Sequence, residues 1–200
     1  MIDLTDKILK YGNNRKDRII GRYSVSDLWG LLTINSYTGK PYTSIQEWLD
    51  GKKNTFDGCF KMWQGSWKHK QIQDLMKDCG YMIEVKKEYK LNNFMIVGMV
   101  DLMNEDTILE IKTSDELITT AKRWHIWQVK MYLSIFQRDK GIIFQPVIKP
   151  NKLLLKELGV VKRNDSWFDG EIIKIEKLHN QLLDEVKKKN KENNLNLCQP

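Results

Sequence analysis

Cysteine is scarce in this 200-residue chain: Cys59, Cys79 and Cys198 are odd in number and widely scattered. They form neither a disulfide framework nor a zinc-ligand spacing, which points to a reducing, cytoplasmic setting. No apolar run reaches the ~20 residues that cross a bilayer, and residues 1–7, MIDLTDK, lack the basic-then-apolar order of a secretory signal. No membrane is therefore expected. The phosphate-cradling pattern G-x-x-x-x-G-K-[ST] is missing, so a nucleotide-driven motor would have to come from a partner. Neither an internal repeat nor a Pro/Gly-rich linker interrupts the chain. Its length suits one domain with a real core and is short for two.

What is present is ordinary in bulk and unusual in detail. Hydrophobic residues at 41% and charged residues at 30% describe a soluble globular chain rather than a disordered one. Lys and Arg outnumber Asp and Glu by 33 to 26, and this net +7 favours a polyanionic partner. Seven Trp and seven Tyr add aromatic faces that can stack on unpaired bases, although most are expected to fill the core.

Periodicity divides the chain into a helical first part and a sheet. Residues 1–22 read as a short helix and lead-in. A helix starts near Ser24 or Ser26, either of which can cap, and another at Thr43 or Ser44 with Gln46 or Glu47 three residues on. Apolar residues at helical spacing from Phe56 to Lys77 predict a long helix closed by Gly80. Strands are expected over 81–91, 94–103 and 107–113, with turns at 92–93 and 104–106. A helix over 116–138 and a strand over 141–148 follow, with Pro146 marking an edge or strand end. After a loop, residues 171–176 read as a short strand or as the opening of a last helix running to about residue 189. The tail, 190–200, is polar and expected to fray. The layout is α/β or α+β, a mixed sheet flanked by helices with an N-terminal helical segment. The expected organisation is one domain: lead-in 1–22, core 23–148, C-terminal loop and helix 149–189, tail 190–200.

One stretch resists a purely structural reading. Residues 98–114, GMVDLMNEDTILEIKTS, are mostly apolar, yet carry Asp101, Glu110 and Lys112 inside. Glu110 and Lys112 share a strand face, and a two-residue turn at Glu105 and Asp106 would set Asp101 opposite Glu110. Two close carboxylates repel unless a cation joins them, and a divalent ion with oxygen preference would join both. Lys112 could then orient or deprotonate a water, or offset charge on a phosphoryl oxygen, and the Ile111 carbonyl could be a further ligand. His69 on the long first helix supplies an imidazole, and Gln128 and Tyr132 lie at i and i+4 on one helix face.

The order Gly65-x-x-x-His69, Gly98-x-x-Asp101, Glu110-x-Lys112 and Gln128-x-x-x-Tyr132 resembles the RecB-like, lambda-exonuclease-like nucleases of the PD-(D/E)xK superfamily. The serine-containing opening at 23–28 resembles the start of many such domains, and the likeness covers roughly residues 23–148. It implies a restriction-endonuclease-like core, with Mg²⁺ (or Mn²⁺) held by His69, Asp101, Glu110 and the Ile111 carbonyl. Asp101, Glu110 and Lys112 would be catalytic. Gln128 and Tyr132 would position DNA and the active-site residues, with Ser24, Ser26, Thr113, Lys68, Arg123 and Trp124 as further DNA contacts. Departures are Val100 where the family name has proline, Gln73 where relatives often carry Glu, and Glu110 where the nearest RecB-like pattern often has Asp. One branch carries an iron–sulfur cluster on four cysteines; three in total exclude that here.

The resemblance implies a metal-dependent DNA exonuclease of recombination, repair or replication, of a size and composition that suit a phage or mobile element. A structure- or site-specific endonuclease and a non-catalytic DNA-binding module on the same fold are the alternatives. Expected partners are DNA ends or single strands and a single-strand-binding, annealing or helicase protein; self-association stays open.

Overall fold

Side-chain caps set the early helices in the computed structural model, which describes residues 3–13, 18–51, 54–114 and 116–196. After α1 (Thr5–Asn13) and a short strand β1 (Arg22–Ser24) that the sequence reading did not foresee, Ser24 accepts the Asp27 amide at 3.1 Å and starts α2 (Val25–Leu32). Ser44 and Glu47 form a capping box at α3 (Ile45–Asp50), and Thr55 caps α4 (Phe56–Lys77). Asp78 is the C-cap of α4. Gly80, with φ 85, follows it and donates its amide to the Lys77 carbonyl at 3.0 Å.

The meander is β2 (Met82–Lys90), β3 (Met95–Met103) and β4 (Thr107–Ile111). Glu105 and Asp106 do form the turn between β3 and β4. Asn104 holds it by accepting the Asp106 and Thr107 amides on its side chain. The helix expected from residue 116 begins only at α5 (Arg123–Phe136). The backbone before it bonds to the sheet instead. Gln145 accepts the Ile118 amide and donates to the Glu116 carbonyl, and Ala121 donates to the Leu158 carbonyl.

Two further corrections concern the C-terminal part. The region expected as a loop contains β6 (Lys152–Lys162), the hairpin partner of β5 (Lys140–Lys149), with Asn151 at φ 64 in the turn. Residues 171–176 are helical, inside α6 (Asp165–Asn196), which runs past the expected end into the tail that was expected to fray. Cys198 and residues 197–200 lie outside the described residues. Pro146 sits where β5 has outrun β4 and pairs with β6 alone, so its missing N–H costs no ladder bond.

The six strands form one mixed sheet, β1 and β4 parallel to their neighbours β3 and β5, the other pairs antiparallel. β2 covers one edge of β3. On the other edge β1 pairs with Met95–Val97 and β4 with Leu102 and Met103, so residues 98–101 face neither. This opening positions the site. α5 packs on one face with α2 and α6 around Ile96, Val100, Ile108 and Ile143. On the other face Ile72 of α4 meets Leu102, Leu109 and Ile111. Gly98 lies under α5, where an added Cβ would stand 3.0 Å from Phe136 and 3.4 Å from Tyr132.

Candidate active site

Asp101 stands at the end of the opening in β3. The β3–β4 ladder closes at Leu102–Leu109, and the same register carried one step further sets Asp101 against Glu110. Beyond the ladder the Ile111 amide has no strand partner, and Asp101 Oδ2 accepts it at 2.7 Å. α4 delivers His69 to the same place. Its Nε2 lies 3.1 Å from Asp101 Oδ2 and 3.0 Å from the Ile111 carbonyl oxygen. Four residues on, Gln73 is buried and donates to the Asp101 carbonyl at 3.3 Å. α4 can approach this closely because of Gly65, whose added Cβ would come within 3.3 Å of Thr113 Oγ1.

Glu110 and Lys112 pair on the α5 side. Lys112 lies just past β4, although its amide still bonds the Phe144 carbonyl of β5 at 2.7 Å. Its Nζ donates to Glu110 Oε1 at 2.7 Å and to Gln128 Oε1 at 2.9 Å, and lies 4.7 Å from the centre of the Trp124 ring. Gln128 passes the chain on, donating through Nε2 to the Tyr132 hydroxyl at 2.8 Å. Asp101 is paired with His69 rather than with Lys112. With His69 the three charges therefore form two pairs, Asp101 with His69 and Glu110 with Lys112.

Burial makes these pairs electrostatically expensive. Among the described residues two buried side-chain polar atoms lack a hydrogen-bond partner, Trp48 Nε1 and Glu110 Oε2. Loss of water around Glu110, reinforced by the charge of Asp101, pushes its carboxyl up to about 7 against the pull of Lys112. Burial alone would lower His69, but the bond and charge of Asp101, the Ile111 carbonyl and Glu110 outweigh it and raise the imidazole above its ordinary value. Tyr132 is held neutral well above the usual phenol range by burial and then by Glu110.

Asp101, Glu110, Gln128 and Tyr132 line a cleft of about 940 Å³ whose far wall is made by β1 and α2. Ser24 and Ser26 are in that wall, hydrogen-bonded to each other, and Ser24 also binds Asp27. The other expected contacts are dispersed. Trp124 caps Lys112, whereas Arg123 is exposed at the start of α5 and outside the cleft lining. Lys68, on α4, and Thr113 line other, smaller cavities. Sequence reasoning missed Arg18, Arg22 and Lys86, which bring positive charge to the cleft. Arg18 is anchored by the Trp48 carbonyl and Asp27, Arg22 by Glu88. A polar lead-in carries no periodicity, so only its arginines hinted at this role.

Among the described residues no group of three His, Cys, Asp or Glu side chains is arranged so that it could hold a metal ion. His69 faces Asp101, and Lys112 occupies one oxygen of Glu110. The donor types nevertheless suit a hard divalent cation: Asp101, the Ile111 carbonyl and His69 lie together, Glu110 is opposite Asp101 in the register, and one of its buried oxygens is unclaimed.

No family model matches the chain, and no curated protein matches it. Solved structures do. The alkaline exonuclease LHK-Exo of Laribacter hongkongensis superposes with a TM-score of 0.61 at 14% identity, over 96% of this chain and all of its own (100%). The same protein in complex with dAMP gives 0.62 at 14%, over 88% and 95%. A phage-related exonuclease from Haemophilus somnus 129PT gives 0.51 at 13%, over 82% and 96%. SSO0001 gives 0.58 at 18%, over 82% and 78%. The fold expected from the motif order, that of a lambda-exonuclease-like nuclease, is the fold observed.

Proposed function

We propose that this chain is a divalent-cation-dependent deoxyribonuclease that degrades DNA from its ends. The observation that carries the reading is Glu110: a buried carboxylate beside Asp101, with one oxygen unclaimed, in the wall of a cleft that Arg18, Arg22 and Lys86 also line. Structural neighbours that are exonucleases, one in complex with dAMP, support the same substrate class.

Asp101, Glu110, the Ile111 carbonyl and His69 would hold Mg²⁺ or Mn²⁺. Bound there, such an ion supplies Lewis acidity toward a phosphoryl oxygen and acidifies water. The chain's own groups do the rest. Glu110 would take a proton from a water admitted to the cleft, whose oxygen bonds to phosphorus as the bond to the sugar oxygen breaks, the departing alkoxide taking a proton from solvent. The Lys112 ammonium, fixed by Glu110, Gln128 and Trp124, offsets charge growing on the phosphoryl group. Tyr132 orients Gln128, and Arg18, Arg22, Ser24 and Ser26 bind backbone phosphates along the far wall. A nuclease domain of this kind suits a recombination, repair or replication pathway alongside a single-strand-binding, annealing or helicase partner.

Digestion of end-labelled linear DNA and covalently closed circles, with Mg²⁺, Mn²⁺ or EDTA, tests this. Metal-dependent loss of linear DNA with intact circles is expected. Cleaved circles would make the chain an endonuclease, and tight binding without any loss of substrate would make it a binding module.

A further inference from the structure

α4 separates the active-site cleft from a second cavity of about 680 Å³, walled on its other side by the β5–β6 hairpin and the segment after Lys112. Large apolar side chains crowd this groove yet remain open to solvent: Trp67, Leu75, Leu117 and Leu153 are 58%, 58%, 62% and 40% exposed. A cluster of that kind marks a binding surface. Its charge says for what. Among the described residues, Lys68, Lys149 and Lys152 line the groove against a single carboxylate, Glu116. Among the described residues neither Lys149 nor Lys152 is in an ion pair. A second copy of the chain is a poor occupant, because a two-fold contact would set these lysines against each other.

We propose that this groove binds unpaired nucleotides of the DNA substrate, bases against Trp67 and its leucine neighbours, phosphates against Lys149 and Lys152. Indole faces stack on any base, and lysines tracking the backbone supply sequence-independent affinity. The groove adjoins the chemistry along the chain: Thr113 and Ser114, immediately after Lys112, form part of its wall. Thr113, Ser114 and Lys68 also line a small cavity of about 210 Å³ along α4, which extends the groove. The site rests on the nuclease reading for its biological sense and not for its binding chemistry.

The test is the affinity of fluorescent oligothymidylate, long enough to span both cavities, for the full chain carrying Lys112→Ala in EDTA, where nothing is hydrolysed. Adding Trp67→Ala is expected to weaken binding about tenfold or more, with Trp67→Phe largely restoring it. Adding Lys149→Ala and Lys152→Ala together should flatten the salt dependence by about 1.4 in log–log slope, the release expected of two single-strand phosphate contacts. Unchanged affinity and slope would overturn the proposal. So would a change in sedimentation without a change in DNA affinity, which would assign the groove to self-association. The two readings fail separately: Trp67-dependent binding without cleavage by the unmodified chain removes the nuclease and keeps the groove, and cleavage with Trp67-independent binding does the reverse.

Discussion

Glu110 and Glu171 are both buried glutamates, and both hold a lysine, yet only one is satisfied. Glu171 accepts the Trp127 indole N–H at 2.9 Å on one oxygen and Lys174 at 2.6 Å on the other. Glu110 accepts Lys112 on one oxygen and nothing on the second, under the field of Asp101. A buried polar network that closes on itself holds structure together. One left open beside a cleft carries a cost that a ligand can relieve. The difference separates an anchor from a site.

Lys112→Ala breaks the comparison hardest. Removing a fixed transition-state charge should cost about 10²–10³-fold in DNA hydrolysis while circular dichroism stays unchanged. Glu110→Gln keeps an acceptor for Lys112 and should cost a similar order in turnover, at least about 10²-fold, read on end-labelled linear DNA. Glu171→Ala should behave oppositely: turnover retained, but about 1–3 kcal/mol lost in denaturant unfolding because the Trp127 N–H is orphaned. If Glu171→Ala killed activity without loss of stability, the division between anchor and site would fail. Gly98→Ala, which presses a methyl into Phe136, should cost about 1–3 kcal/mol and loosen α5 over the site.

The smallest effect concerns His125. Its Nδ1 accepts the Lys122 amide at 3.3 Å and so caps α5, a role only the unprotonated ring can fill. Burial, with Lys112 and Lys122 nearby, holds its pKa down to about 3 from 6.5. A depressed folded-state pKa gives stability that is present above 6.5 and is lost as pH falls toward 3, where the unfolded chain takes the proton first. His125→Gln keeps an acceptor that does not titrate. Its melting temperature should therefore gain on the unmodified chain as pH drops below 6.5, and a constant difference would refute the cap.

The parts legible in sequence were those with local periodicity or local chemistry. The capping residues Ser24 and Ser44, α4 to its last residue and the two-residue turn at Glu105 and Asp106 are of this kind. β6 was missed because residues 153–155 are three leucines without alternation and Gly159 interrupts the run, although Pro150 and Asn151 are good hairpin-turn residues. The start of α5 was misread because the bonds that hold 116–121 extended come from Gln145 and the Leu158 carbonyl, distant in sequence. The same limit applied to the site. The spacing of Glu110 and Lys112 was readable, but the turning of Asp101 toward His69, the indole over Lys112 and the arginines across the cleft depend on tertiary packing.

Anomalous diffraction from crystals soaked in manganese addresses the unclaimed oxygen of Glu110 most directly. The account predicts a peak within coordinating distance of Glu110 and Asp101 that vanishes in Glu110→Gln. Crystals with full manganese occupancy elsewhere and no peak between these carboxylates would contradict it.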